Sequence, residues 1–173
     1  MPLTKEEVRA KLTEMGIAYE VMEHGPVYTI DEMKEVEGMT IEDVCKNLFL
    51  RDEKGKRHFL VVLDEAKSAD LKAIRAQIGS TRLSFGSEER LMDNLGLIKG
   101  AVTPLGVLND CAKNVEVLID EDLRDRPRLG VHPCDNTETL WMSFDSIKKS
   151  SRDRETALNL SKYNGAPSTA YRI

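Results

Sequence analysis

Residues 47–63 contain the feature that most constrains the fold, because two apolar segments flank a short charged turn. The first segment, 47–50, is mostly apolar, and the second covers 57–63. Between them, 52–56 is polar and contains one glycine, which is the composition of a turn. This arrangement predicts a β-hairpin whose first strand enters the hydrophobic core. Lys46 stands directly before that strand, so a charged ammonium lies where the chain becomes buried.

Capping residues and apolar spacing predict helices and strands along the rest of the chain. Thr4 and Glu7 form a capping box, and the helix that they open ends at Gly16. The predicted helices begin at Thr4, Thr29, Thr40, Ser68, Ser87 and about Phe144, and the predicted strands cover 17–21, 47–51, 57–63, 82–85, 115–119 and 139–142. The predicted fold class is therefore α+β, with a mixed, largely antiparallel sheet flanked by helices.

The length and composition predict one globular domain. A chain of 173 residues can bury a sizeable core but is short for two domains. Hydrophobic residues make up 40% and charged residues 32%, as in a typical soluble protein. We expect the domain to cover 1–150 and a polar C-terminal extension, 151–173, to form a short helix and a loose tail. The longest apolar run, 59–63, is far too short to cross a membrane, and the N-terminus lacks a secretory signal. No membrane partner and a cytoplasmic location are expected.

The charges and the cysteines exclude several functional classes. A net charge of −5 argues against broad, non-specific nucleic-acid binding, although it leaves room for a local basic face at Lys54, Lys56 and Arg57. The three cysteines contain no CxxC pair, so neither a zinc ribbon nor a disulfide framework is indicated. Cys134 and His132 match common zinc spacings poorly. The sequence therefore predicts neither a metal nor a cofactor.

The loop 99–110, KGAVTPLGVLND, is one candidate for a ligand site. Glycines at 100 and 106 allow the backbone to approach a ligand closely and to direct its N–H groups inward, and Pro104 stiffens the loop. The alternative is an ordinary turn before a short helix that starts near Leu105, and spacing alone favours that alternative. The segment lacks the pattern of a phosphate-binding P-loop.

The segment 129–140, LGVHPCDNTETL, is a second candidate. His132 precedes Pro133, which forces the histidine into an extended conformation, and Asn136 and Thr137 supply short polar groups before the next strand. A single histidine is more often structural or simply exposed than functional. No serine has an obvious histidine and acid relay, and adjacency of Cys134 to His132 does not make a nucleophile pair, so catalysis by a triad is disfavoured.

Lys46 is the third candidate, with two readings that its position leaves about even. A lysine at the beginning of a strand can extend along the apolar wall into solvent. Alternatively, the ammonium is fixed at the rim of a pocket, where it holds a phosphate or polarises a hydroxyl group.

The three segments CKNLFLRDEKGKRHFLVVL, GAVTPLGVLND and VHPCDNTETLWMS together resemble the YbaK/ProX family of aminoacyl-tRNA editing domains in order, interval and strand context. The early segment EHGPVYTIDEM is also similar to that family, and the similarity covers about 1–150. Within the family, the chain is most similar to the ProX branch of free-standing prolyl-tRNA editing proteins. The resemblance implies a hydrolase that cleaves the ester between a wrong amino acid and the 3′ adenosine of tRNA. The expected substrate is tRNA(Pro) mischarged with alanine, and cysteine is the runner-up.

The resemblance also implies the residues of the site. Lys46 matches the family lysine needed for activity, placed against the terminal adenosine and the scissile ester. The expected substrate-binding residues are Asn47, the loop Gly100, Ala101, Val102, Thr103, Pro104, Leu105 and Gly106, and the closing segment His132, Pro133 and Asn136. Nucleic-acid contacts are expected at Lys46, Lys54, Lys56 and Arg57, and the expected partners are mischarged tRNA(Pro) and prolyl-tRNA synthetase. The alternative is a non-catalytic module that binds tRNA or a synthetase.

Overall fold

The computed structural model describes residues 1–151 and 155–159. Its helices are α1 (Lys5–Glu14), α2 (Ile30–Lys34), α3 (Leu71–Ile78), α4 (Glu88–Leu95) and α5 (Phe144–Ser150), with short 3-10 helices at Ile41–Asp43, Pro104–Leu108 and Glu121–Asp125. Its strands are β1 (Glu20–Glu23), β2 (Cys45–Arg51), β3 (His58–Asp64), β4 (Ser84–Phe85), β5 (Val115–Asp120), β6 (Leu129–Val131), β7 (Glu138–Met142) and β8 (Glu155–Leu158).

The strands form two sheets. The smaller sheet is antiparallel with the order β1-β7-β6, and the larger has the order β4-β2-β3-β5-β8. In the larger sheet β2 pairs antiparallel with β3 and β4, whereas β5 is parallel to both β3 and β8. An isolated parallel bridge between Val44 and Gly130 joins the beginning of β2 to β6. The predicted α+β class and the hairpin are confirmed, and the structure adds the division into two sheets.

All seven residues of β3 are buried, because helices and loops cover both faces of the larger sheet. Leu60 and Val62 pack into a cluster that also contains apolar side chains of α1, α4 and α5. Phe59, Val61 and Leu63 point to the other face, where they meet α3. A strand that is buried on both faces is continuously apolar instead of alternating, and this explains the unbroken hydrophobic run in the sequence.

The helix boundaries follow the predicted capping chemistry except at Ser68 and at Thr40, which precedes only the 3-10 helix Ile41–Asp43 and makes no side-chain cap. Thr4 forms the predicted capping box at the start of α1, and Gly96 ends α4 in the left-handed conformation at φ 62°. Helix α3 is capped by Asp70, and not by Ser68 as predicted. The Asp70 carboxylate accepts hydrogen bonds from the backbone N–H groups of Lys72 and Ala73.

The strands differ from the prediction at three places. Strand β1 begins at Glu20, later than the predicted start of 17–21. Strand β6 has only three residues, and the sequence shows no period over such a length. Residues 155–158, in the expected helical extension, form β8 beside β5; residues 160–173 lie outside the described part of the chain. None of the helices within the described ranges combines the length and apolar character needed to cross a membrane.

Candidate active site

Lys46 is the second residue of β2 and pairs with Leu63 of β3. Since side chains alternate along a strand, Lys46 projects from the face that carries Leu48 and Leu50, which pack toward α3. The lysine is half-buried, and its Nζ donates a hydrogen bond to the backbone carbonyl oxygen of Lys67. Within the described residues, no carboxylate forms an ion pair with Lys46. A neutral group thus orients the ammonium without neutralising its charge.

Other cations near the ends of β3 and β5 are neutralised by carboxylates. Lys67 Nζ lies 2.7 Å from Asp120 Oδ2 and 2.5 Å from Asp122 Oδ2. Burial disfavours the charged form of Lys67, but the two carboxylates outweigh burial and raise its pKa. Arg126 pairs with Asp64, and this contact raises the pKa of Arg126. Lys46 therefore differs from its neighbours in having charge available for an anionic group.

Thr103 connects the glycine loop to the histidine segment. Its hydroxyl is fully buried and donates a 2.6 Å hydrogen bond to the backbone carbonyl of His132. The same Oγ1 accepts a 3.4 Å hydrogen bond from the N–H of Leu105, which caps the 3-10 helix Pro104–Leu108. Pro104, Leu105 and Gly106 are buried within this helix, so they form the support of the loop.

The first part of the loop contains backbone N–H groups without an acceptor. Within the described residues, no acceptor takes the N–H groups of Gly100, Val102 or Thr103, whereas the N–H of Ala101 donates to Ile98 O at 3.1 Å. Gly100 has a φ of 84°, which is a conformation that glycine adopts readily. Unpaired N–H groups in such a turn can bind a developing negative charge.

His132 is held as a neutral imidazole. Its Nδ1–H donates to the backbone carbonyl of Glu138 at 3.0 Å, so Nε2 is an acceptor that no described residue occupies. Burial lowers the pKa of His132, and the charge of nearby His24 lowers it further. The two rings lie edge to face with centroids 6.4 Å apart. His24 Nε2 in turn lies 2.9 Å from Thr139 Oγ1. Near neutral pH, His132 therefore presents a hydrogen-bond acceptor.

Two asparagines of the predicted site have different partners. Asn47 lies on the opposite face of β2 from Lys46, and its Oδ1 is buried without a hydrogen-bond partner among the described residues. Its Nδ2 donates a 3.3 Å hydrogen bond to Cys45 O. Asn136 instead contacts the segment before α2, because its Nδ2 donates to Val27 O at 3.4 Å. Asn47 therefore has a buried acceptor without a partner among the described residues, whereas Asn136 connects two segments.

The fold brings most of the predicted site residues to one seam. The bridge between Val44 and Gly130 places the start of β2 beside β6, so the backbone before Lys46 runs next to the backbone that leads into His132. The hydrogen bond from Thr103 to His132 brings the glycine loop to the same place. The loop, the histidine segment and the backbone of β2 at Lys46 are thus linked where the two sheets join, and the Lys46 side chain projects to the face toward α3.

The predicted tRNA contacts at the hairpin turn lie at the other end of β2. At about 3.3 Å per residue, this strand of seven residues separates Lys46 from the turn by about 20 Å. Lys54 and Lys56 are exposed there. Arg57 forms a bidentate ion pair with Glu116 at 2.8 and 2.9 Å, so its charge is largely neutralised. These cations form a surface separate from the seam.

A cleft of about 270 Å³ adjoins the loop on its other side, lined by Pro2, Met92, Gly96, Leu97, Ile98, Ala101, Cys134, Asp135 and Asn136. Lys46 does not line this cleft. Burial raises the pKa of Cys134 to about 12, so its thiol stays protonated near neutral pH. In the described part of the chain, no group of three or more His, Cys, Asp or Glu side chains is arranged to hold a metal ion.

The sequence did not indicate Lys67 and Asp120, which carry the support of Lys46. Lys67 stands in a basic stretch that is typical of a solvated turn, yet it is buried, and Asp120 looks like an ordinary strand end. No local pattern could have paired them, because 53 positions separate Lys67 from Asp120.

Comparison with known proteins identifies the family of this chain. Residues 24–149 match the family model of the aminoacyl-tRNA editing domain. The prolyl-tRNA editing protein ProX from Acetoanaerobium sticklandii is 49% identical over 145 residues, which cover 84% of this chain and 88% of that protein. The prolyl-tRNA synthetase associated domain-containing protein 1 from Danio rerio is 29% identical, over 80% of this chain and 76% of its own length.

A solved structure described as a candidate trans-editing enzyme for prolyl tRNA synthetase shares the fold, with a TM-score of 0.71 and 18% identity over 91% of this chain and 98% of that one. The chain belongs to the aminoacyl-tRNA editing domain family. It is accordingly an enzyme of the aminoacyl-tRNA deacylase class, as the sequence predicted.

Proposed function

We propose that this protein acts in trans on mischarged tRNA(Pro) and that its preferred substrate is Ala-tRNA(Pro), which it hydrolyses to alanine and free tRNA. The observation that carries the proposal is the unneutralised ammonium of Lys46, held at the seam beside the histidine segment. The similarity to ProX supports tRNA(Pro) as the substrate.

In the proposed reaction, water attacks the carbonyl carbon of the ester, the bond to the ribose oxygen breaks, and this oxygen leaves with a proton. The free N–H groups of Gly100 and Val102 stabilise the developing oxyanion. Removal of one such donor typically costs about 3 to 4 kcal/mol of transition-state stabilisation. Because an aminoacyl ester is already activated, holding it in position supplies much of the remaining rate.

The side chains at the seam hold the two ends of the substrate. Lys46 binds the anionic and hydroxyl groups of the terminal adenosine, since a lysine ammonium donates three hydrogen bonds and one goes to Lys67 O. His132 Nε2 accepts a hydrogen bond from the attacking water. No thiolate or metal takes part in this scheme.

Discrimination between alanine and proline follows from size. A synthetic site made for proline rejects a smaller amino acid by only about 1 to 3 kcal/mol per missing methylene. A second, smaller pocket admits alanine and excludes proline by steric clash. The buried loop support at 103–106 is rigid enough to impose such a limit, because its 3-10 helix is capped by Thr103 and packed in the core.

The exposed cations Lys54 and Lys56 are proposed to contact the tRNA backbone, about 20 Å from the ester. The acidic net charge predicts weak and salt-sensitive binding. Association with prolyl-tRNA synthetase and a cytoplasmic location are part of the same proposal, because mischarged tRNA(Pro) is the product of that synthetase.

The test compares hydrolysis of Ala-tRNA(Pro), Cys-tRNA(Pro) and Pro-tRNA(Pro) by the purified protein at low enzyme concentration. Rapid loss of alanine alone supports the proposal. Preferential release of cysteine would identify Cys-tRNA(Pro), and not Ala-tRNA(Pro), as the substrate. Binding of charged tRNA without turnover of any of the three would favour the non-catalytic module, and the variant Lys46→Ala would then leave that binding measurable.

A further inference from the structure

A buried ion cluster lies directly behind Lys46. Lys67 is 9% exposed and Asp120 is fully buried, and the two are joined at 2.7 Å. Asp122 completes the cluster from a half-exposed position at 2.5 Å. The cluster joins the loop after β3 to the end of β5 and the following 3-10 helix Glu121–Asp125.

Stability alone is a poor explanation for this cluster. Burying a charged pair carries a desolvation cost of several kcal/mol per ion, and apolar replacements of such pairs are often neutral or stabilising. The backbone around it is already fixed by other contacts, since the N–H of Lys67 donates to Asp64 O at 3.0 Å and the N–H of Ala66 donates to Asp64 Oδ1 at 2.9 Å. Asp120 Oδ1 also caps the N–H of Asp122 at 3.2 Å.

The backbone of Lys67 connects this cluster to the site. Its carbonyl oxygen is the acceptor for Lys46 Nζ, while its own ammonium is fixed by Asp120 and Asp122. The ion pairs hold the Lys67 side chain in one position, and this limits the rotation of the backbone to which the carbonyl belongs. The side chain of one lysine thus restrains the backbone atom that orients the other.

We propose that Lys67, clamped by Asp120 and Asp122, is a positioning residue that fixes the ammonium of Lys46 for catalysis. The proposal rests on the role assigned to Lys46 above. A carbonyl acceptor directs the ammonium and leaves two of its N–H groups for the substrate. A carboxylate in the same place would direct it equally well but would also neutralise the charge that the substrate needs. In the structure the carboxylates of Asp120 and Asp122 bind Lys67 and not Lys46, so they do not neutralise the ammonium that is proposed to bind the substrate.

The variants Asp120→Asn and Asp122→Asn test the clamp. Asparagine can keep Oδ1 as the capping acceptor at 120, and it replaces Oδ2, the oxygen that contacts the Lys67 ammonium, with an uncharged NH2 donor. We expect Asp120→Asn to lower kcat at least about tenfold, because a misplacement of about 1 Å can cost up to about 100-fold in rate. The KM for charged tRNA should stay within about twofold, and Asp122→Asn, at a more exposed position, should show a smaller loss of kcat.

Two controls separate positioning from general destabilisation. Glu121→Gln removes the ion pair between Glu121 and Arg124 from the same 3-10 helix and should leave kcat unchanged. Lys67→Arg keeps the positive charge and should restore more activity than Lys67→Gln. A loss of kcat in Glu121→Gln equal to that in Asp120→Asn would contradict the proposal.

NMR of the Lys46 side chain supplies a readout that does not depend on activity. The Hε protons, assigned by their absence in Lys46→Arg, should give separate signals in the unsubstituted protein and merge in Asp120→Asn as the side chain becomes mobile. Unchanged Hε signals in the folded Asp120→Asn variant would overturn the positioning role. If the unsubstituted protein gave separate Hε signals that merged in Asp120→Asn but hydrolysed none of the charged tRNAs, the proposed function would be refuted and the positioning of Lys46 would stand.

Discussion

The two ends of the β2–β3 hairpin carry cations that resemble each other in sequence and differ in their surroundings. At one end, Lys46 donates to a carbonyl oxygen and has no carboxylate partner among the described residues. At the other, Arg57 binds Glu116 through two hydrogen bonds and lies 4.9 Å from the centre of the Phe59 ring. A cation whose charge is satisfied within the fold supports the structure, whereas one that is merely oriented can serve a ligand.

The largest effect is expected from Lys46→Ala. Losing a preorganised cation at the reacting ester should lower the deacylation rate by a few hundredfold, about 3 to 4 kcal/mol. Single-turnover hydrolysis of Ala-tRNA(Pro) measures this loss, and Lys72→Ala, on the exposed surface of α3, is the matched control. A rate within about threefold of the unsubstituted protein would remove Lys46 from the mechanism.

Thr103→Val should produce the next largest effect, because it removes the hydrogen bond that joins the loop to His132. The buried carbonyl left without its donor, together with the lost helix cap, should cost about 1 to 3 kcal/mol of unfolding free energy. The rate should fall by about 10- to 100-fold, since the loop and the histidine segment are no longer held in register. Urea denaturation and hydrolysis assays measure the two effects. Thr13→Val, at an exposed hydroxyl of α1, should change neither.

At the hairpin turn, Glu116→Gln should increase a function, tRNA binding, whereas the two variants above reduce one. Removing this carboxylate frees Arg57 and makes the surface more positive, so tRNA binding should strengthen by about two- to threefold at low salt. The kcat value should not change. Lys56→Ala should weaken binding by a similar factor, and the difference between the two variants should disappear at high salt. Equal binding by both variants at low salt would show that the turn does not contact tRNA.

The smallest effect that we expect is a pH dependence of stability caused by His58, at the hairpin-turn end of β3. Burial lowers the pKa of His58, and the neighbouring Arg90 lowers it further. His58 Nε2 lies 3.1 Å from Arg90 Nη1, which can only donate, so the folded protein holds His58 neutral. Its contribution is complete above the unfolded pKa of about 6.5 and is lost as the pH falls below that value, by at most about 1.4 kcal/mol per pH unit.

Chemical denaturation at pH 7.5, 6.5 and 5.5 measures the decrease in unfolding free energy as the pH falls. The decrease should be smaller in His58→Gln. His132 also has a lowered pKa, so the same sign applies at the site. The deacylation rate should not fall through protonation of His132 until the pH is below about 6.5. If His58→Gln kept the full pH dependence of stability, the effect would belong to other groups.

The sequence predicted the elements that local chemistry determines. The apolar segments of the hairpin and the caps at Thr4 and Ser87 are local signals, and the structure contains each of them. Strand β8 was not predictable because its four residues form a strand only by pairing with β5. The choice of Asp70 over Ser68 as a cap depends on where the preceding loop ends, and that position is set by tertiary contacts.

The candidate site divides in the same way. Lys46, Gly100 and His132 were predicted from their positions in strands and turns and from the resemblance to a family. The residues behind Lys46, Lys67 and Asp120, were not predicted, because they come into contact only when β3 and β5 lie side by side. A buried lysine with two carboxylates has no signature in a sequence that contains 25 lysines and arginines and 30 acidic residues.

The bridge between Val44 and Gly130 bears on when a newly made molecule can become active. The two residues are 86 positions apart, so their contact closes a long loop and carries the corresponding entropic cost. A chain released before Gly130 has been synthesised contains Lys46 and the glycine loop but lacks the histidine segment that closes the seam. With the roles proposed above, recovery of editing activity during refolding should coincide with formation of the β2–β6 contact and not with the earlier, local hairpin.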